Sequence, residues 1–223
     1  MFKYLQFLAI YLLLFKLISF AQPSASLYFT TAIPAGDYTE YTTDAGFGGI
    51  MELFFFSPSE LTPYGLGLNL SYIGYGIHFL EDPESGELDM SFNKANNFAS
   101  VHILFQVAPY SGSVRPYFET LFGGSFIFSN TEVGYDYYKA TLWVDDWAWS
   151  YGGGVGLKFL AHGDPIFNQG SVYLDLKVRY LLSTNATYLD RNSVVFYDGE
   201  LHYNLINSKT DMLTVSLGLY FYF

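Results

Sequence analysis

Cysteine is absent from the 223 residues. That excludes a disulfide framework, a thiolate metal site and lipid attachment through an N-terminal cysteine. Positive charge is scarce: 10 Lys and Arg stand against 21 Asp and Glu, a formal net charge of −11. A chain so short of clustered Lys and Arg cannot neutralise phosphates, so nucleic acid is excluded as a partner. Charge of both signs together is only 14% of residues. Beyond residue 21, no apolar run approaches the roughly 18 residues that mark a membrane-spanning helix. What is abundant is aromatic: 21% of residues are Phe, Tyr or Trp.

The N-terminus reads as a leader. In "MFKYLQFLAIYLLLFKLISFA", Lys3 precedes an apolar run from Tyr4 to Phe15, and Ser19 and Ala21 put small residues at the −3 and −1 positions. Lys16 interrupts the run below the roughly 20 residues needed to span a bilayer. The pattern predicts a secretory signal peptide over residues 1–21, cleaved before Gln22. The mature chain, 22–223, loses Lys3 and Lys16 and carries a formal charge of −13.

Alternation dominates the mature chain and recurs eight times. In "WAWSYGGGVGLKF", Trp147, Trp149, Tyr151, Val155, Leu157 and Phe159 share one face, and Ala148, Ser150, Gly152, Gly154, Gly156 and Lys158 the other. Further strands are predicted at Ser24–Pro34, Ala45–Phe56, Pro63–His78, Phe98–Ala108, Arg115–Ser129, Ser171–Leu182 and Leu213–Phe223. In the third strand the outward set Tyr64, Leu66, Leu68, Leu70 and Tyr72 gives way to Tyr75, Ile77 and Phe79, a parity change that predicts a bulge near Ile73 and Gly74.

A soluble sandwich also alternates, so polarity decides. One face of each strand is bulky and uncharged; the other is glycine, serine and occasional charge. Small residues suit the crowded inside of a narrow barrel, and large apolar ones suit lipid. Water would not tolerate the bulky apolar face on a monomer. The fold expected is all-β: an eight-stranded, antiparallel, up-and-down transmembrane β-barrel.

The connections agree. "SPSELT", "PYSGSV" and "LAHGDPIFNQ" are short, while Ala35–Asp44, Phe79–Asn97, Asn130–Asp146 and Ser183–Asp211 are long or acidic. Short and long alternate, as periplasmic turns and extracellular loops do. The long connections hold 16 of the 21 acids. Within strands, Glu52, Glu119, Lys158, Asp175, Lys177 and Arg179 all fall on the inward face. They are expected to form a neutralising lumen network, with His102 and Gln106 across the barrel. "VVFYDGELHYNL" reads as a small hairpin turning at Asp198-Gly199, too short to add strands to the barrel.

The chain ends in "SLGLYFYF". Ser216, Gly218, Phe221 and Phe223 match the C-terminal pattern of bacterial outer-membrane proteins, and "RPYFETLFGGSF" and "SYGGGVGLKF" are similar to recurrent strand segments of the small outer-membrane β-barrel superfamily. The mature sequence resembles that superfamily, of the OmpA, OmpX and OmpW type. The resemblance implies that the ending is read by the barrel-assembly machinery, and that outer-membrane lipid or lipopolysaccharide surrounds the protein. The peptidoglycan-binding domain of OmpA itself is not expected after Phe223.

Some barrels of this architecture are enzymes. No histidine among His78, His102, His162 and His202 begins the His-x-Ser of the PagL deacylase, and the Asp-Ser pair of the PagP palmitoyltransferase does not occur. Asp145-Asp146 is a candidate pair of the omptin kind, although adjacent aspartates also simply solvate a loop edge. His102 reads as a hydrogen-bonded lumen residue rather than a proton switch. "EDPESGELD" is acidic but lacks a calcium-loop spacing. Trp143, Trp147 and Trp149 suit an outer aromatic girdle. No catalytic residue, metal or cofactor is assigned. The function expected is structural or surface-interacting, with a surface or envelope protein as partner. The alternatives are a narrow pore or OmpW-type hydrophobic-solute conduit, and an accessory subunit of an envelope assembly or secretion complex.

Overall fold

The computed structural model describes residues 22–75, 79–80, 91–135, 138–190, 193, 195–197 and 200–223. The leader expected over 1–21 and the acidic run at 81–89 lie outside the described residues. The strands are β1 (Ser24–Pro34), β2 (Gly46–Phe56), β3 (Tyr64–Tyr75), a short β4 (Phe79–Leu80), β5 (Ser91–Val107), β6 (Val114–Tyr135) and β7 (Tyr138–His162). They continue as β8 (Val172–Ser183), β9 (Asn185–Leu189), β10 (Val195–Tyr197), β11 (Glu200–His202), β12 (Leu205–Lys209) and β13 (Met212–Tyr222).

Eight long strands close on themselves. Antiparallel ladders run β3-β2-β1-β13-β8-β7-β6-β5, and β3 pairs with β5 to complete the ring. The first and last of these strands meet in unbroken register from Ser24↔Tyr222 to Pro34↔Met212. Closure leaves no unpaired edge along the seam, which removes the template for aggregation that an open sheet presents.

Period-two patterning places the side chains. On the outer wall Leu27, Phe29, Phe122 and Val155 are each about three-fifths exposed, while Glu52, Glu119, Lys158 and Asp175 on the inner face are fully buried. Polarity is therefore inverted relative to a water-soluble barrel.

Three expectations are corrected by the ladders. No bulge interrupts β3 at Ile73 and Gly74: Ile73↔Phe98, Gly74↔Asn97 and Tyr75↔Asn96 continue the register. Tyr75 keeps its parity and points inward, fully buried. A large aromatic ring is accepted there because other rings fill that end of the lumen. The register shift falls instead between Phe54 and Phe56 of β2, with another between Leu160 and His162 of β7. The connection expected at 130–146 is largely strand, since β6 and β7 stay paired to Tyr135↔Tyr138, and β5 begins at Ser91 rather than Phe98. These segments alternate too weakly for periodicity alone to reveal them.

The short connections and both described termini share one end, here the turn end. The turn from β7 to β8 needs Gly163, at φ 104°, where an added Cβ would lie 2.4 Å from Ser171 Oγ. At the loop end, a 3-10 turn (Gly36–Glu40) drops Tyr38 into the mouth. Its ring meets Tyr75, Phe98 and Tyr188 edge-on at 5.5, 5.9 and 5.6 Å. The β9–β12 hairpin folds over the same mouth. Thr187 N donates to Asp146 Oδ2 at 2.7 Å and Leu189 N to Ser129 Oγ at 3.2 Å. Burial in this cap pushes the Tyr188 hydroxyl up to about 12. The expected small hairpin is β10–β11, and it stays outside the barrel.

Candidate functional site: the filled lumen

The inward face of each strand delivers its side chains into one space, and the lumen fills in tiers. At the turn end Arg115, fully buried, lies over the Tyr173 ring at 4.4 Å and beside that of Tyr222 at 5.5 Å. It donates to Gly112 O at 3.0 Å, Pro165 O at 3.2 Å and Tyr222 Oη at 3.3 Å. Carbonyl dipoles and ring faces, rather than a carboxylate, satisfy this guanidinium. Arg115 is a seventh strand charge that the sequence reading did not count. With it, the strand charges of the lower and central lumen are three acids and four bases rather than three of each. Its signal was legible: it heads the predicted fifth strand with the parity of Tyr117 and Glu119.

The central tier contains the six predicted network residues. Lys177 Nζ lies 2.6 Å from Glu52 Oε1. Arg179 pairs with Glu52 through Nη2 and with Glu119 Oε1 through Nε at 2.5 Å. Asn69 Nδ2 and Ser26 Oγ also donate to Glu52, at 3.1 and 3.2 Å. Glu52 thus accepts from three strands besides its own, the condition under which a buried carboxylate is tolerated.

Two members stand outside the ion pairs. Lys158 sits opposite Asp175 in register, yet among the described residues it forms no ion pair. It donates to Gln106 Oε1 at 2.7 Å and rests 3.5 Å from the centre of the Tyr220 ring and 4.9 Å from that of Tyr117. Asp175 accepts from Tyr28 and Tyr117 hydroxyls at 2.8 Å each. Tyrosine hydroxyls hold Asp175 where the expected neutralising network would have used a base. Beside the glycines and serines expected on the inner face, Tyr28, Tyr117, Tyr173, Tyr220 and Tyr222 occupy the lumen.

Inner-face glycines make these contacts possible. Gly154 stands in register between Glu119 on β6 and Arg179 on β8, and a Cβ there would lie 2.7 Å from Arg179 Cγ. The same holds for Gly156, whose Cβ would meet Tyr117 Cζ at 2.3 Å, and for Gly218, whose Cβ would meet Tyr28 Cδ1 at 2.5 Å. Each glycine is a gap through which a long side chain crosses one strand to a partner on the next.

Above this tier a hydroxyl chain runs through Ser100, Ser125 and Ser150 at 2.8 and 2.9 Å, ending at His102 Nε2, 2.6 Å from Ser150 Oγ. The aromatic cap lies beyond it. Among the described residues no group of three or more His, Cys, Asp or Glu is placed to hold a metal. Asp145 and Asp146 point to opposite faces. Asp145 accepts from Trp143 Nε1 at 2.8 Å on the outer wall, whereas Asp146 turns to the cap. Adjacent strand positions cannot form the facing pair that omptin-type chemistry requires.

On the outer wall Trp143, Trp147 and Trp149 are all about half exposed. Trp149 stacks on Phe122 at 5.7 Å and Trp143 on Phe128 at 5.2 Å. Of the terminal pattern, Ser216 donates to Thr30 Oγ1 at 2.8 Å inside the seam, Gly218 is the gap for Tyr28, and Phe221 faces outward, as does Phe223, which is 63% exposed.

No family model matches the chain, and no curated protein matches it. Among solved structures it is similar to Ail, the attachment invasion locus protein of Yersinia pestis, at 15% identity and a TM-score of 0.44 over 91% of this chain and 99% of that one. Neisserial surface protein A is similar at 12% identity and a TM-score of 0.41, over 90% and 97%. A major outer membrane protein from Thermus thermophilus is similar at 14% identity and a TM-score of 0.39, over 90% and 99%.

Proposed function

We propose that the protein is a non-enzymatic barrel of the bacterial outer membrane whose lumen is closed to ions and whose role is structural or surface-interacting. The observation that carries this reading is Arg179 bonded at once to Glu52 and Glu119, so that β2, β6 and β8 are tied through the centre of the lumen. Eight strands leave an interior only wide enough for side chains to fill, and here charged and aromatic side chains fill it. Between the turn end and Asp145 the described outer wall carries no charge, which supports membrane placement, because a Lys or Arg facing lipid at mid-depth costs about 2–4 kcal/mol. The alternating connections and the leader expected over 1–21 support export. With the lumen occupied, what remains available for interaction is the loop end, where most of the acids lie.

The terminal Ser216, Gly218, Phe221 and Phe223 are proposed as the segment read by the assembly machinery, and Trp143, Trp147 and Trp149 as the girdle of the leaflet nearer the loops. A surface or envelope protein is the proposed partner. Planar-bilayer recording of the purified protein tests the closed lumen. The expected record is flat, and stable single-channel steps from the wild type would establish the pore instead.

A further inference from the structure

We infer that the outer wall carries a binding groove for one acyl chain of a membrane lipid. The inference rests on the membrane placement proposed above. A depression of about 610 Å³ crosses the wall from β1 to β7, and no charged residue lines it. In ladder register its floor is Gly49, Tyr72, Ala99, Phe126 and Trp147. The small members leave the trough, and the aromatic ones wall it.

The trough is open for a reason visible in the glycines. A Cβ at Gly124 would collide with Trp147 Cζ2 at 1.9 Å, because the indole lies flat across that position. Gly153 is likewise approached by the Phe118 ring, at 3.7 Å. At Gly49 the nearest atom to an added Cβ is Tyr28 O at 3.6 Å, with no side chain within 4 Å. Neighbouring aromatics fill the first two gaps, and none fills the third. An unfilled apolar gap forfeits dispersion contacts on one side, and a flexible hydrocarbon chain restores them.

Length and position fit the same occupant. Six strands, with five gaps of about 4.8 Å each, give a trough of about 24 Å. Strands of a membrane barrel tilt by about 35–45°, so a row across them runs oblique to the membrane normal. A chain crossing one leaflet of about 15 Å, half the hydrocarbon thickness, lies along it obliquely. The groove ends at Trp147, two residues below Asp145, an exposed carboxylate on this wall that accepts from Trp143. It therefore opens immediately beneath the polar boundary, where a lipid headgroup sits. Its surface is continuous with the lipid-facing wall, so a chain enters sideways without crossing water.

Native mass spectrometry of barrel reconstituted with palmitoyl-oleoyl phosphatidylethanolamine and re-extracted into detergent tests the inference. One retained lipid per barrel is expected. Gly49→Leu and Ala99→Phe should each weaken retention about tenfold, the effect of losing roughly two methylene contacts, while Val155→Phe, on the outer wall of β7 nearer the turn end and outside the groove lining, leaves it unchanged. The heat-shifted gel position shows whether each variant is folded. A folded wild-type barrel that retains no lipid, or variants that retain it equally, overturns the groove while leaving membrane placement intact. Recovery of the protein without detergent overturns the placement itself. Dimers that groove-filling variants dissociate would assign the trough to a second copy and overturn the lipid.

Discussion

Tyr28 and Asp175 are hydrogen-bonded at 2.8 Å although a whole strand, β13, lies between them. The ladder places Gly218 between the two, paired with Tyr28 on one side and Asp175 on the other. The phenol passes over the position where a side chain would stand. Because β1 and β13 form the closing seam, this bond ties the first strand to β8 across the last one. Removing the phenolic hydroxyl in Tyr28→Phe leaves Asp175 with Tyr117 alone. A loss of about 1–3 kcal/mol is expected, read as a lower urea midpoint in lipid or detergent. An unchanged midpoint would show that the bond contributes nothing to closure.

The gap at Gly156 is cleaner to test, because the three atoms nearest to an added Cβ there all belong to the Tyr117 side chain. Gly156→Ala should destabilise the wild type. In a Tyr117→Ala background the same substitution should cost much less, since the colliding ring is gone. Unfolding midpoints of the four proteins form a double-mutant cycle. Additive losses would mean that glycine acts there through backbone freedom rather than by clearing a path.

Arg179 bridges two acids, and its removal leaves Glu119 without an ion-pair partner among the described residues while Glu52 keeps Lys177. Arg179→Ala is expected to cost about 3–5 kcal/mol, as for other broken buried pairs. Arg179→Lys should recover only part of this, because an ammonium lacks the fork that spans Glu52 and Glu119. Full recovery by lysine would reduce the bridge to a matter of net charge.

Lys158 should be the milder loss. It is held by one amide oxygen and by ring faces, without a carboxylate of its own. Lys158→Met keeps the stem and removes a buried charge, at an expected cost of about 2 kcal/mol, the scale of a desolvated cation–π contact. The measurement is again the urea midpoint, compared directly with Arg179→Ala. A loss as large as that of Arg179 would reveal an ionic dependence on Asp175.

Phe223 separates assembly from stability. Its ring is mostly exposed and its backbone N–H donates to Pro23 O at 3.2 Å, so little packing depends on the side chain. Phe223→Asp should sharply reduce folded barrel in cells while refolding in detergent stays near wild type. Equal losses in both settings would remove the recognition role.

Alternation, glycine-rich inner faces and unequal connections were enough to establish from the sequence a barrel of eight strands and which face of most strands turns inward. Period two is a local property, so Glu52, Glu119, Lys158, Asp175, Lys177 and Arg179 were assigned to the lumen without knowledge of any neighbour. The same rule covered Arg115, whose omission was one of counting. Partner choice is different in kind. Whether Lys158 meets Asp175, or Arg179 reaches Glu119 over Gly154, depends on the stagger of strands far apart in the chain and on which inner position happens to be empty. Tyr75 turning inward likewise depends on Tyr38 and Tyr188 arriving from other connections to cover it. The faces were written residue by residue. The contacts were decided only when the ladder closed, because closure sets which side chains compete for the same few ångströms of lumen.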